Sequence, residues 1–93
     1  MAEQVKVLPM GEHQFAAEVH EANETTHHRV VSSQQLLDDL AIPEPDEQML
    51  VAESVKYLLQ KVPVTAVPEE IDLTGIQEED LEYLNEIRAR MSE

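Results

Sequence analysis

Apolar residues in this chain alternate at period two near its beginning and at helical spacing from about residue 36 onward. Val5 and Val7 flank Lys6 in a first alternating segment, and Phe15, Ala17 and Val19 alternate with Ala16, Glu18 and His20 in a second. A third run spans Thr26 to Ser32. Together these predict a three-stranded antiparallel meander with one buried face. Leu36, Leu37 and Leu40 then predict a short amphipathic helix. The stretch from Asp46 to Val62 carries the strongest signal: Val51, Val55, Leu58 and Val62 recur at steps of four, three and four, with Ala52 and Leu59 widening the stripe. Leu81, Leu84, Ile87 and Met91 predict a last helix over about Gln77 to Met91.

Local signals punctuate these segments. Pro9-Met10-Gly11-Glu12 marks a turn, with Gly11 the residue expected at positive φ. Ser32-Ser33-Gln34-Gln35 matches a capping box in which Gln35 reaches back to the Ser32 amide. Pro43 and Pro45 end the short helix, Asp46 is the expected N-cap of the central one, and Pro63 stops it after Val62. Thr74-Gly75-Ile76-Gln77 is a second capping-box match. With Glu78, Glu79 and Asp80 at its positive end and Arg88 and Arg90 at its negative end, the last helix complements its own macrodipole. Ile71 and Leu73 are expected to pin the preceding connector to the core, and Val64 to Val67 is left open as one turn.

A polar tip at Asn23-Glu24 implies a hairpin register with Ala22 opposite Thr25, Glu18 opposite Arg29 and Ala17 opposite Val30. Asn-Glu is a weaker turn signal than Asn-Gly, so the loop is two or four residues long. In this register His20 faces His27 on the solvent side and His28 points inward.

Composition sharpens the picture. Twenty acidic residues against six basic ones give a formal charge of −14. Such a chain repels nucleic-acid backbones and anionic membranes, which argues against direct nucleic-acid or membrane binding. The acids concentrate late: Glu69 to Glu82 contains seven and no base. The absence of cysteine excludes disulfides and thiolate chemistry and points to a reducing cytoplasm. No basic stretch followed by an apolar core opens the chain, so no signal peptide is expected. The aromatic content is Phe15, Tyr57 and Tyr83, a thin core that a homodimer would help, so monomer and homodimer both stay open.

Little in the sequence carries chemistry. His20 and His27 with Glu18 are the best metal-ligand set, but a structural zinc site needs four tightly spaced ligands, and two surface histidines are the simpler account. The paired carboxylates Asp38-Asp39 and Glu78-Glu79-Asp80 read as solvated surface. No phosphate-binding glycine loop, nucleophile elbow, zinc helix or calcium loop occurs. No catalytic residue, metal or cofactor is assigned, and an enzyme is not expected.

The segment Val55-Lys56-Tyr57-Leu58-Leu59, then Lys61-Val62-Pro63 and Ile71-Asp72-Leu73-Thr74-Gly75-Ile76, with His28-Arg29-Val30 upstream and Glu86-Ile87-Arg88-Ala89-Arg90 at the end, resembles a group of small uncharacterised bacterial proteins. The resemblance spans about residues 13–91. Where that group has tyrosine-phenylalanine-proline entering the last helix, this chain has Glu79-Asp80-Leu81. It implies a bacterial origin and no particular activity.

The expected fold is a single α+β domain in which a small antiparallel β-meander packs against two main helices and one short helix. The expected function is a non-enzymatic protein-interaction or regulatory module of the cytoplasm. An antitoxin-like or DNA-mimic inhibitor of a basic partner is the alternative, and a His20–His27 metal protein a third. The acidic stretch Glu69, Glu70, Asp72, Glu78, Glu79 and Asp80 would meet a basic partner, and Leu50 and Tyr57, off the main stripe of the central helix, would join it if both were exposed.

Overall fold

In a computed structural model that describes residues 4–21, 23–42 and 45–91, the period-two segments form β1 (Gln4–Gly11), β2 (Gln14–Glu21) and β3 (Glu24–Val31). The helical segments form α1 (Gln34–Leu40) and α2 (Glu47–Lys61), and a single 3₁₀ turn at Val64–Ala66 fills the stretch left open. A short strand β4 (Glu70–Asp72), α3 (Leu73–Glu79) and α4 (Tyr83–Met91) complete the described residues. The sheet order is β1-β2-β3-β4, with antiparallel pairs except the last: β4 runs parallel to β3. The architecture is α+β, but the sheet is mixed and has four strands where three were expected. Ile71, fully alternating with Glu70 and Asp72, pairs with Val30 and is 2% exposed, so the residue expected to pin a loop is the centre of a strand.

Odd-numbered residues of β1 as far as its bulge, odd-numbered residues of β2 and even-numbered residues of β3 turn toward the helices. Val7, Phe15, Ala17, Val19, His28 and Val30 are buried there. Each of the buried valines and the phenylalanine withdraws enough apolar surface to contribute about 1.5–3 kcal/mol. Leu36 and Leu40 of α1, Leu50, Val51 and Val55 of α2, Leu73 of α3, and Tyr83 and Ile87 of α4 close the core from the other side. The buried arc of α2 is rotated from the expected stripe toward Leu50, Ser54 and Tyr57, leaving Val62 37% exposed, because α2 meets β1 and β2 on one flank and α4 on the other.

The hairpin register differs from expectation by two residues. Glu21 pairs with Glu24, Glu18 with His27 and Ala17 with His28. The expected Ala22–Thr25 pair lies outside the described residues. A two-residue slip keeps every side chain on its face, so the same apolar set is buried in either register. The opposite-charge pairing of Glu18 with Arg29 is too weak to decide between them, being worth at most about 1 kcal/mol. Arg29 instead sits beside Glu70 of β4, at 3.8 Å.

Three local expectations also change. Positive φ falls on His13 (59°), not Gly11, because the tight turn is at Glu12-His13 after a bulge between Pro9 and Gly11. Histidine tolerates this region better than most residues, and here its ring Nδ1–H donates to Glu47 Oε2 at 2.6 Å. The cap of α1 is Ser33, whose Oγ accepts from Leu36 N at 3.1 Å; the Ser32 amide is already committed to the His13 carbonyl at 2.8 Å. The expected continuous helix from Gln77 to Met91 is broken at Asp80, and α3 begins under Asp72, not Thr74. Asp80 takes an extended conformation, its Oδ1 accepting from Glu82 N at 3.0 Å and its carbonyl from Tyr83 N at 3.2 Å. Leu81 is consequently 87% exposed, and Tyr83 takes its place on the buried face. Glu78 and Glu79 then lie at the negative end of α3, reversing the expected dipole placement. Arg88 has a use beyond its own helix: its guanidinium donates to the Leu40 and Asp39 carbonyls at 2.8 and 3.1 Å, satisfying the open end of α1. The expectation for Asp46 holds, its side chain accepting from Met49 N. Pro43 lies outside the described residues.

Candidate functional site

The helices pack on one side of the sheet, and among the described residues no element covers the other side. Strand alternation places Lys6, Leu8 and Met10 of β1, Ala16, Glu18 and His20 of β2, and His27, Arg29 and Val31 of β3 on that open face, with Glu70 beside Arg29. Leu8 is 66% exposed and Met10 60%. Leu81, at the α3–α4 break, is more exposed still, but it lies outside the sheet.

Glu18 organises the polar centre of the face. Its Oε1 accepts from His20 Nε2 at 2.5 Å and its Oε2 from His27 Nε2 at 3.1 Å, while Thr25 donates to His20 Nδ1 at 3.0 Å. The imidazole of His20, and after it that of His27, holds the Glu18 carboxyl below its ordinary range. The histidines expected to oppose each other are thus joined through the carboxylate, with His27 opposite Glu18 and His20 opposite Thr25. Both carboxylate oxygens are engaged by ring nitrogens, and among the described residues no group of three or more His, Cys, Asp or Glu is arranged to hold a metal ion.

Two clefts open onto this face and share His27. One, of about 430 Å³, is lined by Met10, His27, His28, Arg29, Glu69 and Glu70. The other, of about 170 Å³, lies among Lys6, Leu8, Ala16, Ala17, Glu18 and His27. His28 forms the floor of the first as a structural residue: its Nδ1–H donates to the Pro68 carbonyl at 2.7 Å and Thr26 Oγ1 donates to its Nε2 at 2.8 Å.

The residues expected to meet a partner are dispersed. Leu50 is fully buried and Tyr57 is 5% exposed, so the joint exposure on which their role depended does not occur. The Tyr57 hydroxyl reaches Asp80 Oδ2 at 2.5 Å, its ring stacks edge-on against Tyr83 at 5.6 Å, and Lys61 Nζ lies 4.9 Å above it. Asp80 is held below the ordinary carboxylate range by the Tyr57 hydroxyl and then by the Glu82 amide. Asp72 caps α3 through Thr74 N at 3.0 Å. Glu69 and Glu70 border the larger open-face cleft, and Glu78 and Glu79 are exposed at the end of α3. A third cleft, of about 400 Å³, lies beside Tyr57, Lys61 and Glu86 on the helical side.

Sequence reasoning missed Leu8 and Met10. The signal was present: with Val5 and Val7 turned inward, continuing the alternation past Lys6 puts Leu8 and Met10 on the opposite, uncovered face. Among the described residues no helix is long and apolar enough to cross a membrane. Comparison with protein-family models, curated proteins and solved structures finds no match to this chain.

Proposed function

We propose that this chain is a non-enzymatic protein-interaction module of a reducing cytoplasm, and that it works through the uncovered face of its sheet. The supporting observation is the exposure of Leu8 and Met10 side by side on that face, at 66% and 60%, in a chain whose remaining surface is strongly acidic. Contiguous apolar surface rimmed by charge is the usual mark of a docking site. The polar groups on the face are tied to one another, Glu18 with two imidazoles and Arg29 with Glu70, an arrangement suited to fixing orientation and not to turning over a substrate. Docking by the strand edge is disfavoured. Pro9 offers no N–H to a further strand, and the Val7 carbonyl is taken by Gln48 Nε2 at 2.7 Å.

A second reading, the antitoxin-like or DNA-mimic inhibitor of a basic protein, draws support from the exposed carboxylates of Glu69, Glu78 and Glu79. Salt separates the two. In pull-downs with wild-type and Leu8→Glu/Met10→Glu bait, face docking predicts capture that survives about 0.5 M salt and is lost in the double variant. Capture that disappears with salt and ignores the double variant would replace the first reading with the second.

A further inference from the structure

Resting on the reading of the open face as the docking surface, we infer that its occupant is a second copy of this chain, packed sheet against sheet about a two-fold axis. Charge distribution carries the inference. The chain bears −14, yet Lys6 and Arg29 against Glu18, Glu70 and Asp72, with Glu69 at the rim of the larger cleft, leave the open face at only −2. Two copies with this charge repel one another, and this face combines a small net charge with two exposed large apolar side chains, Leu8 and Met10. A strongly basic partner would gain little from a weakly charged patch when the carboxylates of Glu78 and Glu79 are exposed elsewhere.

The face also suits its own image. Ala16, a small side chain, lies in the middle strand opposite Leu8 on one side and Arg29 on the other, so larger residues of one copy have room over the alanine of its mate. Both signs of charge are present on the same patch, so a two-fold arrangement can set cations of one copy against carboxylates of the other. Stacked sheets approach to about 10 Å, which the absence of bulk at Ala16 permits. Eight-residue strands at the usual rise and spacing give a footprint of roughly 26 by 15 Å, below the size of stable specific interfaces and in the range of weak, transient contacts. The dimer is therefore expected to dissociate at micromolar, not nanomolar, concentrations.

Sedimentation equilibrium of the full chain over about 1 μM to 1 mM tests this. Wild type should pass from the 10.6 kDa chain mass to twice that value, and raising salt should tighten the association several-fold by screening the −14 charges. Leu8→Glu/Met10→Glu should stay at the monomer mass while keeping the wild-type circular dichroism, and Ala16→Gln, which adds bulk without charge, should weaken association at least tenfold. A wild-type chain that remains monomeric to 1 mM overturns the inference, as does a double variant that still dimerises. If the wild type is monomeric but salt-resistant capture still depends on Leu8 and Met10, the docking reading stands and only the self-partner is lost. If capture too is indifferent to those residues, the docking reading falls with it.

Discussion

The Tyr57 hydroxyl donates to Asp80 Oδ2 at 2.5 Å, tying the second half of α2 to the break between α3 and α4. One carboxylate there does two jobs, accepting from the tyrosine and, through its other oxygen, capping α4 at Glu82 N. Asp80→Ala removes both, whereas Asp80→Asn keeps an oxygen for the cap. The alanine variant should melt below the asparagine variant, and both below wild type. Tyr57→Phe, which loses the hydroxyl alone, should cost about 1 kcal/mol. Thermal denaturation followed by circular dichroism ranks them; equal melting of Asp80→Ala and Asp80→Asn would remove the capping role.

A buried relay runs from Tyr83 to Ser54 to the α2 backbone. Ser54 Oγ donates to the Leu50 carbonyl at 2.7 Å, so the Tyr83 hydroxyl, 2.5 Å away, must donate to Ser54 Oγ. Ser54→Ala strands a buried hydroxyl and should cost about 1–3 kcal/mol. Adding Tyr83→Phe to that variant should recover part of the loss, making the pair non-additive in urea denaturation. Simple additivity would mean the two hydroxyls do not share a bond. Burial also pushes the Tyr83 phenol up to about 12 from an ordinary 10.0. Its contribution to stability is complete below pH 10 and is lost as pH rises through 12, so alkaline unfolding should begin in that window and shift upward in Tyr83→Phe.

His13 gives a pH dependence near neutrality. Its hydrogen bond to Glu47 raises the imidazole above its ordinary 6.5, so the stability it contributes is complete below that value and is lost as pH rises through the raised one. Wild type should melt lower at pH 8 than at pH 6 by an amount that His13→Asn, which still accepts positive φ, largely abolishes. An unchanged slope in that variant would assign the dependence to another group.

Much of the fold is legible because α2 and the first three strands are fixed by periodicity, and periodicity survives errors of register. The two-residue slip of the hairpin shows this: Phe15, Ala17, Val19 and Val30 are buried whichever carboxylate Arg29 meets. What the sequence hides depends on partners distant along the chain. Nothing near Glu70 announces a strand, because three residues make a strand only when Arg29 to Val31 are beside them. The Asp80 break is concealed because Gln77 to Met91 reads as helix until Tyr57, more than twenty positions away, offers Asp80 a hydroxyl. The open face was legible in Leu8 and Met10, but their meaning depends on which side the helices take.

The β1 edge should resist assembly while Pro9 and Gln48 guard it. Replacing both, as Pro9→Thr with Gln48→Ala, exposes a regular eight-residue edge and should produce concentration-dependent β-rich aggregates, visible in light scattering and thioflavin fluorescence, that neither single variant forms. A soluble double variant would show that the edge is protected by something else.

The association surface itself is best tested by chemical footprinting, since the chain has no cysteine to interfere. Single Leu8→Cys, Met10→Cys and Glu79→Cys variants are labelled with a maleimide in dilute buffer, in concentrated cell extract and with a large excess of the wild-type chain. If the open sheet face is the working surface, Leu8→Cys and Met10→Cys should react several-fold more slowly in extract or with excess wild-type chain while Glu79→Cys is unchanged; protection confined to Glu79→Cys, or no protection under either condition, would contradict it.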